Sequence, residues 1–211
     1  MKLPSKLPTL KARPVSGRAF DVRGVNPVIE RLETPRLVLR KARPDDLEAI
    51  WRNVWSDDAI ARNMLWRPTH SREAAVDRLA RTMKIHAEHP VFFVCLKDTD
   101  EPVGLAGVRG EGRGVYEECG ICVASRYQGQ GLGREILEAL IRLVFEALHG
   151  VKFIYGCFRE NAVSARLCRS MGFRCAYSRE GVRDWDGYRY VSDHYVLDQA
   201  AWAAKERREG R

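Results

Sequence analysis

Residues 128–134 read Gln-Gly-Gln-Gly-Leu-Gly-Arg, with three glycines at alternate positions. An apolar run at 116–123 precedes them. A helix-period run at 131–148 follows, in which Ile136, Leu137, Leu140, Ile141, Val144, Phe145 and Leu148 recur at spacings of three and four. A strand, a glycine turn and an amphipathic helix in succession point to a layered α/β arrangement. Glycine lets a backbone turn tightly and approach a ligand closely. The helix beyond presents unpaired N–H groups and a partial positive charge, so the segment suits a pyrophosphate held by main-chain donors.

Two phosphate motifs fit poorly. A P-loop needs Gly-Lys-Ser/Thr, which is absent here. A dinucleotide turn needs G-x-G-x-x-G, and the position after Gly129 and Gly131 that should be glycine is Arg134. Glu160 follows the next strand near where a ribose-binding acid belongs, which leaves the dinucleotide alternative open but weak.

The rest of the chain alternates element types. Residues 36–41, 91–96, 103–108, 116–123, 151–157, 173–178 and 190–197 read as strands, and 110–114 as a glycine-rich connection. Helices are expected at 44–55, 71–87, 131–148 and 161–170, the first with acids in its opening turn and the last stopped by Gly172. The run at 151–157 is nearly continuous in apolar residues, as a central strand covered on both faces would be. The sum is one mixed α/β domain at 32–203, with a Pro-containing N-terminal arm at 1–31, mobile or peripherally docked, and a C-terminal tail at 204–211.

The net charge of +8 first suggests a polyanion-binding protein. Its distribution argues otherwise. Residues 1–31 carry seven basic and two acidic side chains, residues 204–211 four and two, and the body between them is near neutral. The basic ends are a candidate contact for nucleic acid or the ribosome, without interleaved aromatics beyond Phe20. No apolar stretch reaches membrane-spanning length, and prolines at 4, 8 and 14 interrupt the N-terminus where a signal sequence would need an apolar run. The expectation is a cytoplasmic protein. Its six cysteines then read as reduced, mostly buried thiols, and Cys119 with Cys122 lacks the second pair a zinc site needs, so no metal is expected.

Gln128-x-x-Gly131-x-Gly133 resembles the acetyl-CoA loop of the GNAT N-acetyltransferases, and further segments accompany it in order. Residues 33–40 resemble the opening strand of the subgroup containing ribosomal-protein-alanine N-acetyltransferases. Met64-Leu65-Trp66 before Ser71 resembles that subgroup's helix–loop–helix, and Glu118-Cys119-Gly120-Ile121 its central strand. Asn161-Ala162-Val163-Ser164 with Met171-Gly172-Phe173, then Gly187, Asp193, Tyr195, Leu197 and Trp202, resemble its C-terminal portion. The resemblance implies a mostly antiparallel sheet, flanked by helices and splayed where acetyl-CoA enters. It implies pantetheine pairing near Cys122 and Val123. The pyrophosphate would meet the amides of Gln128, Gly129, Gln130, Gly131, Leu132, Gly133 and Arg134. Asn161 and Ser164 would lie near the thioester. It also implies an amine acceptor, either a protein or peptide N-terminus or a small molecule such as an antibiotic, polyamine or amino acid. An unpaired edge strand would offer a place for a second subunit to form a homodimer.

Acetyl transfer needs a neutral amine. At pH 7 about one α-amine in seven is neutral, against about one lysine in 2,500, so a general base matters in both cases. Glu118 is the leading candidate, with Glu117 the competitor because neighbouring strand residues face opposite sides. A backbone N–H near Cys122 and Val123 would polarise the carbonyl. The resemblance implies a tyrosine four residues after the serine to protonate the thiolate, but Cys168 stands there, which leaves Ser164 as the candidate for that role or as a cofactor contact. Trp66 is a candidate acceptor-binding residue, with Glu118 beside it in that role. Arg67 and His70 share its loop.

Overall fold

The computed structural model describes residues 29–209. They fall into two compact units. The first comprises 29–108 and 119–140, the second 109–118 and 141–209. The expected arm lies almost wholly outside the described residues, at 1–28.

In the first unit, strands β1 (Arg31–Glu33), β2 (Leu37–Arg40), β3 (Val91–Leu96) and β4 (Pro102–Gly112) pair antiparallel in chain order. β1 is an addition to the expected set, beginning at the border of the arm. The expected strand at 116–123 is two strands, β5 (Val115–Glu118) and β6 (Cys122–Val123). They take different partners. β6 pairs with β4, Val123 opposite Gly104, while β5 belongs to the second unit. Between them Gly120 turns the chain at φ +104°, a conformation that favours glycine. Gly104 is equally specific, since a Cβ there would collide with the Cys122 carbonyl.

The helical segment opens on a 3₁₀ turn at Pro44–Asp46. Helix α1 (Leu47–Ile50) follows and passes into a π-turn at Trp51–Trp55. Helix α2 (Asp58–Ala61) was not expected; Asp57 caps it, accepting from the amides of Ala59 and Ile60 at 2.8 and 3.2 Å. Ser71 caps α3 (Arg72–Glu88) as its sequence position suggested, accepting from Ala74 N–H at 3.2 Å, a contact worth about 1 kcal/mol. These helices cover an apolar cluster of Ile50, Val54, Trp55, Ile60, Leu79, Phe93 and Cys122, with the Trp55 and Phe93 rings edge to face at 5.8 Å. Burial of each large side chain contributes about 1.5–3 kcal/mol. Arg40 is also buried and needs compensation; it donates to both Asp46 carboxylate oxygens at 2.7–2.8 Å and to Asp100 at 2.7 Å. Helix α4 (Leu132–Arg142) buries Leu132, Ile136, Leu137 and Leu140, then continues as a π-turn at Leu143–Ala147.

In the second unit, β7 (Lys152–Phe158) lies between β5, which runs parallel to it, and β9 (Arg189–Asp198), which runs antiparallel. β8 (Arg174–Val182) borders β9. Helices α5 (Ala162–Ser170) and α6 (Gln199–Glu209) complete it. Both β7 and β9 match their expected places. β7 is central, but its coverage differs from expectation: Phe153, Tyr155 and Cys157 are buried, whereas Lys152, Ile154 and Gly156 on the other face are half-buried. That half-open face carries Gly156, beside Glu118 and His194. Helix α6 runs through the expected tail boundary at 203/204. Trp202 stacks on Phe145 at 5.5 Å, and Glu206 accepts from Arg142 at 3.0 Å.

The architecture is the expected mixed α/β one, with a mostly antiparallel sheet. Among the described residues no helix is long and apolar enough to cross a membrane. All six cysteines are free thiols, four of them buried.

Candidate active site

In the first unit, the segment 128–134 forms the turn into α4. Gly129 and Gly131 have φ of +75° and +80°, the left-handed region that side chains disfavour. The Gln128 amide donates to Ser125 O at 3.2 Å and the Arg134 amide to Gly131 O at 3.1 Å, so both ends of the expected donor run are already engaged. The amides of residues 129–133 have no acceptor among the described residues. Five consecutive free N–H groups at a helix head are suited to a pyrophosphate.

Side chains brace this turn. Gln128 Nε2 donates to Val123 O at 2.9 Å, which ties the loop to β6, and Gln130 Nε2 donates to Arg126 O at 3.2 Å. Arg36 Nη1 donates to Gln130 O at 2.9 Å, while its Nε donates to Glu135 at 2.8 Å. Burial pushes the Glu135 carboxyl up, but Thr34 and Arg36 outweigh it and hold the group below its ordinary value. Gln128 therefore shapes the loop through its side chain, and the amides of residues 129–133 stay without an acceptor among the described residues.

Cys122 and Val123 are both buried on β6, and burial pushes the Cys122 thiol up to about 12. Trp66 packs partly buried against the apolar cluster that contains Cys122. His70 faces Asp58 at 3.2 Å on the surface.

In the second unit, Glu117 and Glu118 separate in role. Glu117 lies 3.1 Å from Arg109 Nη2 and 3.3 Å from His194 Nδ1. Burial raises its pKa, but His194 and Arg109 outweigh burial and leave the carboxyl below its ordinary value. The His194 contact is misaligned for a hydrogen bond, so Nδ1 is a buried polar atom with no hydrogen-bond partner among the described residues. Glu118 reaches over β7. Gly156 pairs with His194 across β7 and β9, and its missing side chain leaves a notch. A Cβ at Gly156 would sit 3.7 Å from Glu118 Oε1 and 3.4–3.5 Å from the His194 ring. A carboxylate and an imidazole thus share one notch.

A bulge at Cys175/Tyr177 in β8 shifts the register by one, placing Tyr177 opposite His194. The two rings stack at 4.6 Å with an 11° interplanar angle, which fixes the imidazole.

Asn161 caps α5, its Oδ1 accepting from Ser164 N–H at 3.1 Å. Ser164 Oγ lies 2.8 Å from the Tyr155 hydroxyl. Burial, then the nearby Glu118 charge, pushes the Tyr155 pKa well above its ordinary value. Tyr155 thus pairs with Ser164 and feels the Glu118 charge. Cys168 is fully buried, donates to Ala165 O at 3.3 Å, and burial pushes its thiol up to about 12; it behaves as a small apolar residue.

Tyr155, Gly156 and His194 carried no motif signal. Tyr155 is visible in principle as a polar-tipped aromatic in an apolar strand. His194 depends on a bulge that sequence pattern does not announce.

The acetyltransferase (GNAT) domain model matches residues 36–174. The chain is 27% identical over 181 residues to the [Ribosomal protein uS5]-alanine N-acetyltransferase of Escherichia coli (strain K12), spanning 80% of this chain and 84% of that one. In fold it is similar to a GCN5-related N-acetyltransferase from Brucella melitensis, with a TM-score of 0.75, 16% identity, and 87% and 85% of the two chains covered. It is also similar to a ribosomal L7/L12 alpha-N-protein acetyltransferase solved with coenzyme A, with a TM-score of 0.69, 18% identity, and 82% and 99% covered. Because the matched span runs from β2 through α5 and includes the loop ahead of α4, the chain belongs to the GNAT family of N-acetyltransferases, whose members take acetyl-CoA as donor.

Proposed function

We propose that this enzyme acetylates the N-terminal α-amine of a protein or peptide by direct transfer from acetyl-CoA. The observation that carries the donor assignment is the run of five free amides at 129–133, braced by Gln128 and Arg36. The acceptor assignment rests on the likeness to the uS5-alanine enzyme and on the base available.

Bound acetyl-CoA supplies an activated thioester carbonyl. The chain's own residues supply the rest. The amides of residues 129–133 would hold the pyrophosphate, and Cys122 and Val123 would offer strand backbone to the pantetheine arm. Glu118 accepts the ammonium proton, directly or through one water, and leaves the amine neutral. A carboxylate is a weak base, so it suits an α-amine, which is about one-seventh neutral at pH 7, better than a lysine. His194 and Glu117 keep the notch polar and oriented. Ser164 would offer its hydroxyl proton to the leaving thiolate. Tyr155 is held protonated by burial, and its hydroxyl lies 2.8 Å from Ser164 Oγ; with Tyr155 as the donor, it would strengthen the Ser164 hydrogen bond.

The test is release of CoA thiol on mixing acetyl-CoA with peptides that have a free N-terminus, beside the same peptides with the N-terminus blocked and a lysine available. The reading requires release with the first set. Release confined to the blocked, lysine-bearing set would replace it with side-chain acetylation.

A further inference from the structure

Arg78 on α3 is a half-buried cation. Its guanidinium lies between two indole rings, 4.7 Å from the Trp55 centroid and 4.4 Å from the Trp66 centroid. One edge is pinned: Nη1 donates to Thr69 Oγ1 at 2.9 Å and approaches Arg67 O at 3.3 Å. Nε and Nη2 make no hydrogen bond among the described residues, and neither is sealed from solvent. No carboxylate of the described residues lies within ion-pair distance of it. Burial, with the Arg81 charge nearby, pulls its pKa down to about 10, so it stays charged at neutral pH at a desolvation cost.

Other caged or buried guanidinium groups of this chain are neutralised. Arg183 lies over Trp185 at 4.4 Å and Tyr188 at 5.0 Å, but both its Nε and Nη2 donate to Asp186, at 3.0 and 2.6 Å. Buried Arg40 has Asp46 and Asp100. Arg78 alone of these three holds a planar N–H edge, oriented by two rings, with no anion on it. An Nε/Nη2 edge matches the two oxygens of a carboxylate. The cage also packs beside β6, the strand proposed above to meet the pantetheine arm: Trp55 and Trp66 pack in one apolar cluster with Cys122, and the Arg78 charge is close enough to favour the Cys122 thiolate.

We infer that the Nε/Nη2 edge of Arg78, held between Trp55 and Trp66, binds a carboxylate of the acetyl acceptor and so selects acceptors that carry one near the reacting amine. The inference rests on the acyl-acceptor reading above and narrows its substrate class. The carboxylate has two sources, an acidic side chain next to a peptide's N-terminal residue or the α-carboxylate of a free amino acid.

The test measures binding first, by quenching of tryptophan fluorescence. Ala-Asp-Gly-amide is compared with Ala-Asn-Gly-amide, and alanine with alaninamide. A carboxylate on a caged guanidinium is expected to improve Kd about 10- to 100-fold over the amide in whichever pair matches the natural source. Arg78→Gln should remove that difference, and Arg78→Lys should keep part of it, since the charge remains without the fork. Melting temperatures of both variants separate loss of recognition from loss of fold, and the wild-type comparison stands even if a variant fails to fold. Equal binding of acid and amide in both pairs by the wild-type protein overturns the inference, whatever turns over. Selective binding without CoA release from any amine would keep the carboxylate site and instead overturn the acceptor reading it was attached to.

Discussion

The Tyr155 hydroxyl and Ser164 Oγ lie 2.8 Å apart, one from the core of β7 and the other from the first turn of α5. Asn161, capping that helix through the Ser164 amide, holds the serine in place for the contact. A tyrosine delivered from the strand stands next to the serine in a chain whose α5 has Cys168 at the position where the family resemblance implies a tyrosine. Tyr155→Phe removes one hydrogen bond, worth about 1 kcal/mol, so kcat should fall about fivefold with little change in KM. Ser164→Ala should fall further, and the double variant no further than Ser164→Ala. Additive losses in steady-state kinetics would show that the two hydroxyls act separately.

Glu118 and Glu117 should respond differently to the same chemical change. Glu118→Gln removes the proposed base and should lower kcat about 100-fold at pH 7, with recovery at alkaline pH as the amine deprotonates unaided. Glu117→Gln breaks the contacts to Arg109 and His194 and should cost about 1–3 kcal/mol of stability, with a smaller effect on rate. Rate–pH profiles and thermal melts of both variants decide it; a silent Glu118→Gln beside a crippled Glu117→Gln would exchange the assignments.

Gly131→Ala tests the loop. At φ +80° a Cβ costs about 1 kcal/mol or more, and relief by backbone rotation would turn the amides away from a common point. Acetyl-CoA should bind at least about tenfold more weakly by calorimetry, while the melting temperature of the free protein changes by only a few degrees. Unchanged affinity would mean that the amide run does not hold the pyrophosphate.

Acid sensitivity has a specific source in His86. Its Nδ1 accepts from Ala42 N–H at 2.9 Å, and burial, reinforced by Lys41, pulls its pKa down to about 3. The unfolded value is about 6.5, so the unfolded chain binds the proton more readily. The stabilisation is therefore complete above about pH 6.5 and is lost as pH falls toward 3, about 2 kcal/mol of it by pH 5. His86→Gln, which can still accept from Ala42, should show a smaller drop in melting temperature between pH 7 and pH 5 than the parent. Equal drops would place the acid sensitivity elsewhere.

Much of this was legible beforehand, and for local reasons. The alternate glycines at 129, 131 and 133, the Ser71 cap and the apolar run of β3 each encode their conformation within a few residues. What pattern reading missed is non-local. The run at 116–123 looks like one strand because hydropathy does not record that β5 and β6 have different partners. β7 looks covered on both faces because apolar residues fill both sides, yet Gly156 opens one of them. His194 meets Glu117 through a cross-strand register, and Arg78 meets Trp55 and Trp66 through packing of α3 on the π-turn and its loop. Such pairings exist only once the elements are placed.

The central claim is transfer from acetyl-CoA to an N-terminal α-amine. The most direct measurement mixes acetyl-CoA with a peptide that carries both a free N-terminal alanine and an internal lysine, then locates the acetyl group by fragmentation mass spectrometry while free thiol is counted. The account predicts one thiol released per peptide acetylated, with the acetyl group on the α-nitrogen. Acetyl found on the lysine Nζ alone, or acetyl-CoA bound tightly with no thiol released to any amine, would contradict it.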